Sequence, residues 1–408
     1  MRRIRIVPLL FNTEVDEEPV GDIIYISLTL FSMDWSTERE YMPPPHVAAS
    51  VCERYDLNNI IESLHDIFSQ CGGINKYCRA GESILIKPNL LKAAAPENAV
   101  CTHPRIIEAL AEIIKKQGAH PAIGDSPGWG GVKSICRRSG YMEFAEKKQI
   151  PIVEFREKKR VKIQGLVMNS VDVAAEALEF DGMINVAKCK THGQMGMTLA
   201  VKNTFGVIVG KEKPLWHLKV KTDVSRFAGI LIDIHTAVKP RFNLIDGILG
   251  MEGNGPGSGT PRHLGFIAGS DHAPALDIKV CEALNIPMKE VHTVTESIRS
   301  GLVQPDAITL SGDFGRPLQG GNPFKMAENF PLGFTGMGII RDLARRVLTS
   351  RPRVQATACT GCGACAEICP AEAITIEKIA GIRNKDCIRC FCCQEICPEG
   401  AIYARRWF

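Results

Sequence analysis

The sequence reads Cys359-Thr-Gly-Cys362-Gly-Ala-Cys365-Ala-Glu-Ile-Cys369-Pro370 and, 28 residues later, Cys387-Ile-Arg-Cys390-Phe-Cys-Cys393-Gln-Glu-Ile-Cys397-Pro398. Both copies have the spacing C-x2-C-x2-C-x3-C-P and both end in Glu-Ile-Cys-Pro, so the segment is an internal tandem repeat. Under the same offset Cys392 aligns with Ala364, and Cys393 aligns with Cys365. Cys392 is therefore the one thiol of this segment that the repeat does not explain.

The spacing is that of the bacterial iron–sulfur run, in which three thiolates of one loop and the fourth Cys of the other run hold each cluster. Over residues 353–408 the chain resembles the two-cluster 4Fe-4S ferredoxin family. The resemblance implies two 4Fe-4S clusters. The first would be held by Cys359, Cys362, Cys365 and Cys397, and the second by Cys387, Cys390, Cys393 and Cys369.

Two other uses of these cysteines fit the sequence less well. Zinc sites do not have the fourth x3-C-P element, and no stretch has the pattern of a secretory signal that would favour disulfides. A ferredoxin domain can also have a purely structural role, but two adjacent clusters favour electron transfer.

Composition bounds the remaining possibilities. The 408 residues have room for about two to three domains, and 45% hydrophobic with 23% charged residues is typical of a globular protein. The net charge of +4 comes from scattered basic residues, which argues against a nucleic-acid partner. No run reaches the roughly 18 apolar residues that a membrane span needs. The seven cysteines outside the repeat have no paired spacing, which predicts a cytoplasmic protein.

Residues 1–45 carry no recognisable pattern beyond a short apolar run at 23–31, and they end in Pro43-Pro44-Pro45. We treat them as an uncertain N-terminal extension. One hypothesis is an overcalled start, with Met33 or Met42 as the true beginning.

Residues 46–336 alternate between apolar strands and amphipathic helices, which predicts an α/β domain with a layered, mostly parallel sheet and flanking helices. A linker helix at 337–352 then leads into a small ferredoxin-type α+β domain at 353–408. The predicted strands cover 47–52, 83–87, 119–124, 183–187, 242–245, 264–268 and 307–310. The predicted helices cover 58–70, 104–117, 132–138, 198–205, 222–238, 275–284 and 338–348.

Four charged residues stand where an apolar strand gives way to a loop, and they are Lys87, Asp125, Lys188 and Asp246. Open α/β sheets bind ligands outside the carboxyl ends of their strands. These four strands therefore point polar side chains at one edge of the sheet.

The phrases around these residues resemble the prokaryotic family known as domain of unknown function 362. They are Lys-Pro-Asn-Leu-Leu at 87–91, Thr-His-Pro at 102–104, Gly-Asp-Ser-Pro-Gly at 124–128, Asn-Val-Ala-Lys-Cys-Lys-Thr-His at 185–192, Ala-Val-Lys-Asn at 200–203 and Asp-Gly-Ile-Leu-Gly-Met-Glu-Gly-Asn-Gly-Pro at 246–256. The resemblance spans residues 46–310, and family members often carry a C-terminal ferredoxin domain. It implies little about activity.

Lysines and histidines of these phrases could converge on a small anionic ligand, because a lysine ammonium binds carboxylate or phosphate. The candidate catalytic residues are Lys188, His192 and Asp125. The candidate ligand-binding residues are Lys87, Asn89, His103, Lys190, Lys202, Asn203, Asp246 and Glu252. The alternative is structural: Lys87 and Lys188 would pair with acidic neighbours, and Asp125 and Asp246 would accept turn N–H bonds.

Two further site types have weak support. A metal site of His103, His192 and Asp125 is conceivable, but the spacing of these residues matches no known metal-binding motif. The glycine-rich loop at 253–259 lacks the Gly-Lys-Ser/Thr ending of a phosphate loop.

These observations favour an iron–sulfur oxidoreductase that exchanges electrons with a small anion bound to the α/β domain and with an external redox partner protein. Two alternatives stay open. The chain could be a non-enzymatic electron-transfer or docking protein serving a partner oxidoreductase, or it could be an assembly factor for clusters or cofactors.

Overall fold

The computed structural model describes residues 43–210, 212–220, 223–315, 323–327 and 350–405. The unit Pro44–Phe408 is compact and contains both the α/β region and the cysteine-rich segment. The N-terminal extension, the apolar run at 23–31 and the helix predicted at 338–348 lie outside the described residues, so nothing tests them.

The strands of the α/β region are β1 His46–Val51, β2 Ser83–Lys87, β3 His120–Asp125, β4 Ile152–Glu154, β5 Lys158–Lys162, β6 Ser170–Ala174, β7 Gly182–His192, β8 Gly196–Thr198, β9 Phe242–Glu252, β10 Thr260–Ser270 and β11 Thr309–Gly312. Within the described part of the chain, the main sheet has nine strands in the order β11-β1-β10-β9-β7-β2-β3-β4, with β8 paired to β7. β5 and β6 form a separate antiparallel pair.

Most neighbouring strands of this sheet run parallel. The pairs β9–β7, β7–β2, β2–β3 and β3–β4 are all parallel, as is β1–β11. β10 is antiparallel to both β1 and β9. The prediction of a mostly parallel sheet with flanking helices is confirmed, and the carboxyl ends of β2, β3, β7 and β9 share one edge.

The helices of the α/β region are α1 Leu57–Gln70, α2 Pro104–Lys116, α3 Val132–Arg138, α4 Tyr141–Lys147, α5 Ala200–Asn203, α6 Glu212–Val220, α7 Val224–Val238, α8 Ala273–Ala283 and α9 His292–Arg299. They cover both faces of the sheet. Ile84 and Ile86 of β2 pack in the core with α1 and α2, whereas Leu85 packs in a different core with α7. Alternate residues of one strand thus enter opposite layers, as the two-residue period of a strand requires.

Local sequence explains where the predicted helices begin. The Asp56 carboxylate accepts bonds from the amides of Asn58 and Asn59 at 3.1 Å and caps α1. α2 begins with Pro104, whose fixed φ suits the first helical position.

β7 and β9 each have 11 residues and are much longer than predicted. The buried charged residues Lys188, Lys190 and Asp246 lie beyond the predicted ends of these strands and interrupt the apolar pattern. The sequence pattern also missed α4, α6, α9, β4 and the β5–β6 hairpin. β5 reads Lys-Lys-Arg-Val-Lys and is largely exposed, so it offers almost no apolar signal.

The cysteine-rich segment is a small α+β unit, as predicted. Strand Arg351–Val354 pairs with Ile402–Arg405, and Ile374–Ile376 pairs with Ala380–Ile382. Its two short helices, Ala364–Glu367 and Cys392–Ile396, start 28 residues apart. The structure therefore follows the tandem repeat of the sequence.

Candidate functional site

The cysteines of the repeat surround two cavities. The first cavity is lined by Cys359, Cys362, Cys365 and Cys397, and the second by Cys369, Cys387, Cys390, Cys392 and Cys393. Apart from Cys392, each cavity has three thiols from one run and a fourth from the other run. This is the grouping that the ferredoxin resemblance implies.

Backbone amides approach several of these sulfurs. The N–H groups of Ala380 and Arg389 lie 3.4 Å from the sulfurs of Cys359 and Cys387, respectively. The amide of Ala373 approaches Cys369 Sγ, and that of Ala401 approaches Cys397 Sγ, both at 3.3 Å. Two of the thiols around each cavity thus accept a backbone N–H, and four thiols supported in this way form a donor set suited to an iron–sulfur cluster.

The two cavities differ in their access to solvent. Cys362 of the first cavity is exposed, whereas Cys390 and Cys393 of the second are buried. Cys365 and Cys397 of the first cavity are also buried, so the difference rests on Cys362.

Lys87 and Asp125, which end β2 and β3, form a buried ion pair with an Nζ–Oδ1 distance of 2.9 Å. The Asp125 carboxylate also accepts bonds from the amides of Leu90 at 2.8 Å and Ser126 at 3.0 Å. An alanine Cβ in place of Gly206 would lie 1.9 Å from Asp125 Oδ1. The pair is thus enclosed by backbone, as the structural alternative described.

Lys188 and Asp246 form a second buried pair, with Nζ 2.8 Å from Oδ2. Tyr55 accepts a bond from Lys188 at 2.9 Å and donates one to Asp246 at 2.8 Å. The ring of His103 stacks on Tyr55 at 3.5 Å, and burial lowers the pKa of His103 to about 4. This network satisfies its own charges.

The remaining predicted residues of β7 and β9 also have protein partners. Lys190 donates to the carbonyl of Val100, and burial lowers its pKa to about 7. Glu252 pairs with Arg262 at 2.7 Å.

His192 faces the cysteine-rich segment. Its Nδ1 accepts bonds from the amides of Gln194 and Met195, which leaves the proton on Nε2. That Nε2 lies 2.9 Å from Oε1 of Glu395, and burial lowers the pKa of His192. His103, His192 and Asp125 contact different partners, so the structure does not bring these three residues together around one metal ion.

A pocket lies where the α/β region meets the cysteine-rich segment, and we call it the interdomain pocket. Of the predicted residues it contains Asn89, Asp125, Lys202 and Asn203. The α/β side adds Ser126, Lys213 and His217, and the opposite wall consists of Ile368, Cys392, Glu395 and Ile396. Asp277 orients α5, which carries Lys202 and Asn203, by accepting the amides of Ala200 at 2.7 Å and Val201 at 3.1 Å.

Lys202 lines this pocket and is half-buried. Among the described residues it has no hydrogen-bond or ion-pair partner, and its nearest aromatic contact is the Phe205 ring at 5.9 Å. Burial lowers the pKa of Lys202, and the nearby Glu395 carboxylate opposes that shift. A desolvated ammonium without a partner favours binding of an anion.

Two further basic groups line the pocket. Lys213 donates to the carbonyls of Ser126 and Pro127, and burial lowers its pKa to about 7. Burial also lowers the pKa of His217 to about 4, and its buried Nδ1 has no hydrogen-bond partner in the described structure. His217 is therefore a neutral imidazole at neutral pH.

Sequence reasoning missed Lys213, His217, Cys392 and Glu395 as pocket residues. α6, which holds the first two, has no strong amphipathic pattern. Glu395 belongs to the repeated Glu-Ile-Cys-Pro phrase, and a non-ligand residue retained in both copies was an available signal.

No helix in the described ranges is long and apolar enough to cross a membrane.

Comparison with known proteins agrees with this architecture. A family model described as a domain of unknown function (DUF362) matches residues 84–282, and a 4Fe-4S binding domain model matches residues 352–375. The thylakoid-associated protein sll1697 of Synechocystis sp. is 33% identical over 265 residues, which is 65% of this chain and 82% of that protein. The chain belongs to the DUF362 family. This DUF362 protein is also an iron–sulfur protein, because its C-terminal part contains a 4Fe-4S binding domain.

Among solved structures, the DUF362 protein is similar to the lactate racemase apoprotein of Thermoanaerobacterium thermosaccharolyticum, with 12% identity and a TM-score of 0.40. The match covers 60% of this chain and 58% of that structure.

Proposed function

We propose that this protein holds two 4Fe-4S clusters and exchanges electrons with a small anionic molecule bound in the interdomain pocket. The observation that carries the proposal is the position of Cys392, which lines both the second cavity and the pocket. A ligand in the pocket would therefore lie beside the second cluster.

When bound, the clusters would supply one-electron transfer. The protein's own residues would bind and position the other reactant. Lys202 would hold the anion, and the Lys87–Asp125 pair would keep the surrounding loops in place. Lys213 has a pKa of about 7, so it can release or accept a proton at neutral pH.

The exposure of Cys362 supports an external redox partner. A partner docked at the first cavity would be closest to the first cluster, and the second cluster would connect it to the pocket. The seven cysteines outside the repeat are buried free thiols, which fits a reducing compartment such as the cytoplasm.

The cluster assignment is tested by anaerobic reconstitution. We expect about eight iron atoms per chain and a visible absorption band that dithionite bleaches. Cys369→Ser should lose the second cluster and keep the first, whereas Cys392→Ser should keep both. An iron content near zero, or equal losses in the two variants, would contradict the assignment.

Electron transfer to the pocket is tested by reducing the loaded protein and following its reoxidation by a panel of carboxylated and phosphorylated metabolites. We expect at least one compound to accelerate reoxidation in wild type and in Lys219→Gln, an exposed lysine of α6, but not in Lys202→Gln. If no compound does so, the docking alternative is favoured.

A further inference from the structure

We propose that the interdomain pocket binds a small monocarboxylate with an apolar body, its carboxylate held between the Lys202 ammonium and the His217 imidazole. This inference rests on the proposed function and names the class of molecule that the site would take.

The net charge of the side chains around the pocket suits a ligand with one negative charge. Its ammonium groups are Lys202, Lys213 and the adjacent Lys87, and its carboxylates are Asp125 and Glu395. Three cations against two anions leave an excess of one positive charge. Burial lowers the pKa of Lys213 to about 7, and an anion bound nearby would favour its protonated form, which keeps this excess at one positive charge. A doubly charged phosphate ester would therefore be poorly neutralised.

The donors of the pocket also favour carboxylate over phosphate. Phosphate sites commonly use arginine forks or the N–H groups of a long helix. No arginine is among the described residues that line this pocket. Instead, His217 lines the pocket and has a buried Nδ1 without a partner in the described structure. In its neutral Nδ1–H tautomer it would donate one bond to a carboxylate oxygen, and Lys202 would bind the other.

The apolar part of the lining comes from both sides of the pocket. Leu91, Phe205 and Pro214 belong to the α/β region, and Ile368 and Ile396 follow the repeated glutamates of the cysteine-rich segment. A fully polar ligand would leave these side chains in contact with polar groups. A hydrocarbon or aromatic body would cover them and gain the free energy of apolar burial.

The probes are propionate, 4-methylpentanoate and phenylacetate, each compared with its amide, and phenylphosphonate as a dianion. They are added to the oxidised, cluster-loaded protein, and thermal stabilisation is measured. We expect stabilisation that grows from propionate to the larger carboxylates, with none from the amides and less from the phosphonate. Lys202→Gln and His217→Phe should each weaken phenylacetate binding by about 10-fold or more, whereas Lys219→Gln should bind near the wild-type level.

The proposal is wrong if no carboxylate stabilises the protein, if an amide or the phosphonate binds as well as its carboxylate, or if neither variant changes binding. Should Lys202→Gln fail to fold, His217→Phe decides the question alone. Iron content and dithionite bleaching are measured on the same samples. Loss of iron therefore reports failure of the proposed function, whereas full iron without carboxylate binding reports failure of this inference only.

Discussion

Variants of the buried pair Lys188 and Asp246 can distinguish a structural role of these residues from a catalytic one. Both side chains have no solvent exposure, and their charges are 2.8 Å apart. At an effective dielectric constant of 20 this distance corresponds to about 6 kcal/mol of attraction, which offsets a desolvation cost of several kcal/mol per ion. Removing one partner leaves the other charge buried and should cost about 3–5 kcal/mol in free energy of unfolding.

The cost should differ between the two single variants. In Lys188→Met the Asp246 carboxylate keeps two donors, the Tyr55 hydroxyl at 2.8 Å and the His103 amide at 2.9 Å. We therefore expect a loss of about 3 kcal/mol, which lowers the melting temperature of a chain of this length by about 4 °C. Asp246→Asn leaves an ammonium with fewer acceptors and should cost more. The double variant should lose less than the sum of the two single losses.

Thermal unfolding of the cluster-loaded protein measures these losses, and phenylacetate binding is measured alongside. If the pair is structural, both single variants melt earlier but bind phenylacetate as the wild type does. A Lys188→Met protein that melts normally and no longer responds to ligand would refute this reasoning. It would instead place Lys188 among the ligand-binding residues.

Three further predictions follow from close contacts and burial. Gly206→Ala should destabilise the protein and abolish phenylacetate binding, because its Cβ would lie 1.9 Å from Asp125 Oδ1; Gly131→Ala, which meets nothing within 4 Å, is the control for thermal unfolding. Gly257→Ala should increase hydrogen exchange of the Cys392–Ile396 helix, because its Cβ would lie 2.1 Å from the carbonyl oxygen of Glu395. Burial raises the pKa of Asp277 from 3.8 to about 7. Between about pH 4 and 7, Asp277 is protonated in the native state but ionised in the unfolded state. The free energy of unfolding should therefore fall by up to about 1.4 kcal/mol for each pH unit in this range. Asp277→Asn should remove that slope in melting curves.

Much of the fold follows from hydrophobic periodicity. The 3.6-residue pattern of α1 and the apolar run of β2 predict both elements, since each depends on neighbours along the chain. The extents of β7 and β9 could not be predicted in this way, because Lys188 and Asp246 interrupt the pattern and are acceptable inside the sheet only as a pair. Pairing across strands is a tertiary property.

The candidate site was predictable to a similar degree. The strand-end rule selected Asp125, which lies in the interdomain pocket with three other predicted residues. The same rule selected Asp246, which belongs to a separate network. His217 and Glu395 could not be found by this rule, because one lies on a weakly patterned helix and the other belongs to a different part of the chain.

The repeat of the cysteine-rich segment also explains how this segment contacts the α/β region. Its two Glu-Ile-Cys-Pro phrases supply Glu367, which accepts a bond from the Trp129 indole at 3.2 Å, and Glu395, which lies 2.9 Å from His192. The same duplication thus provides the fourth thiol of each cavity and a carboxylate that contacts the α/β region. Cys393 and Cys397, which line different cavities, flank Glu395 on both sides. Because cluster ligation would fix both ends of this stretch, loading of the clusters should determine the shape of one pocket wall and hence the affinity of the pocket for its ligand.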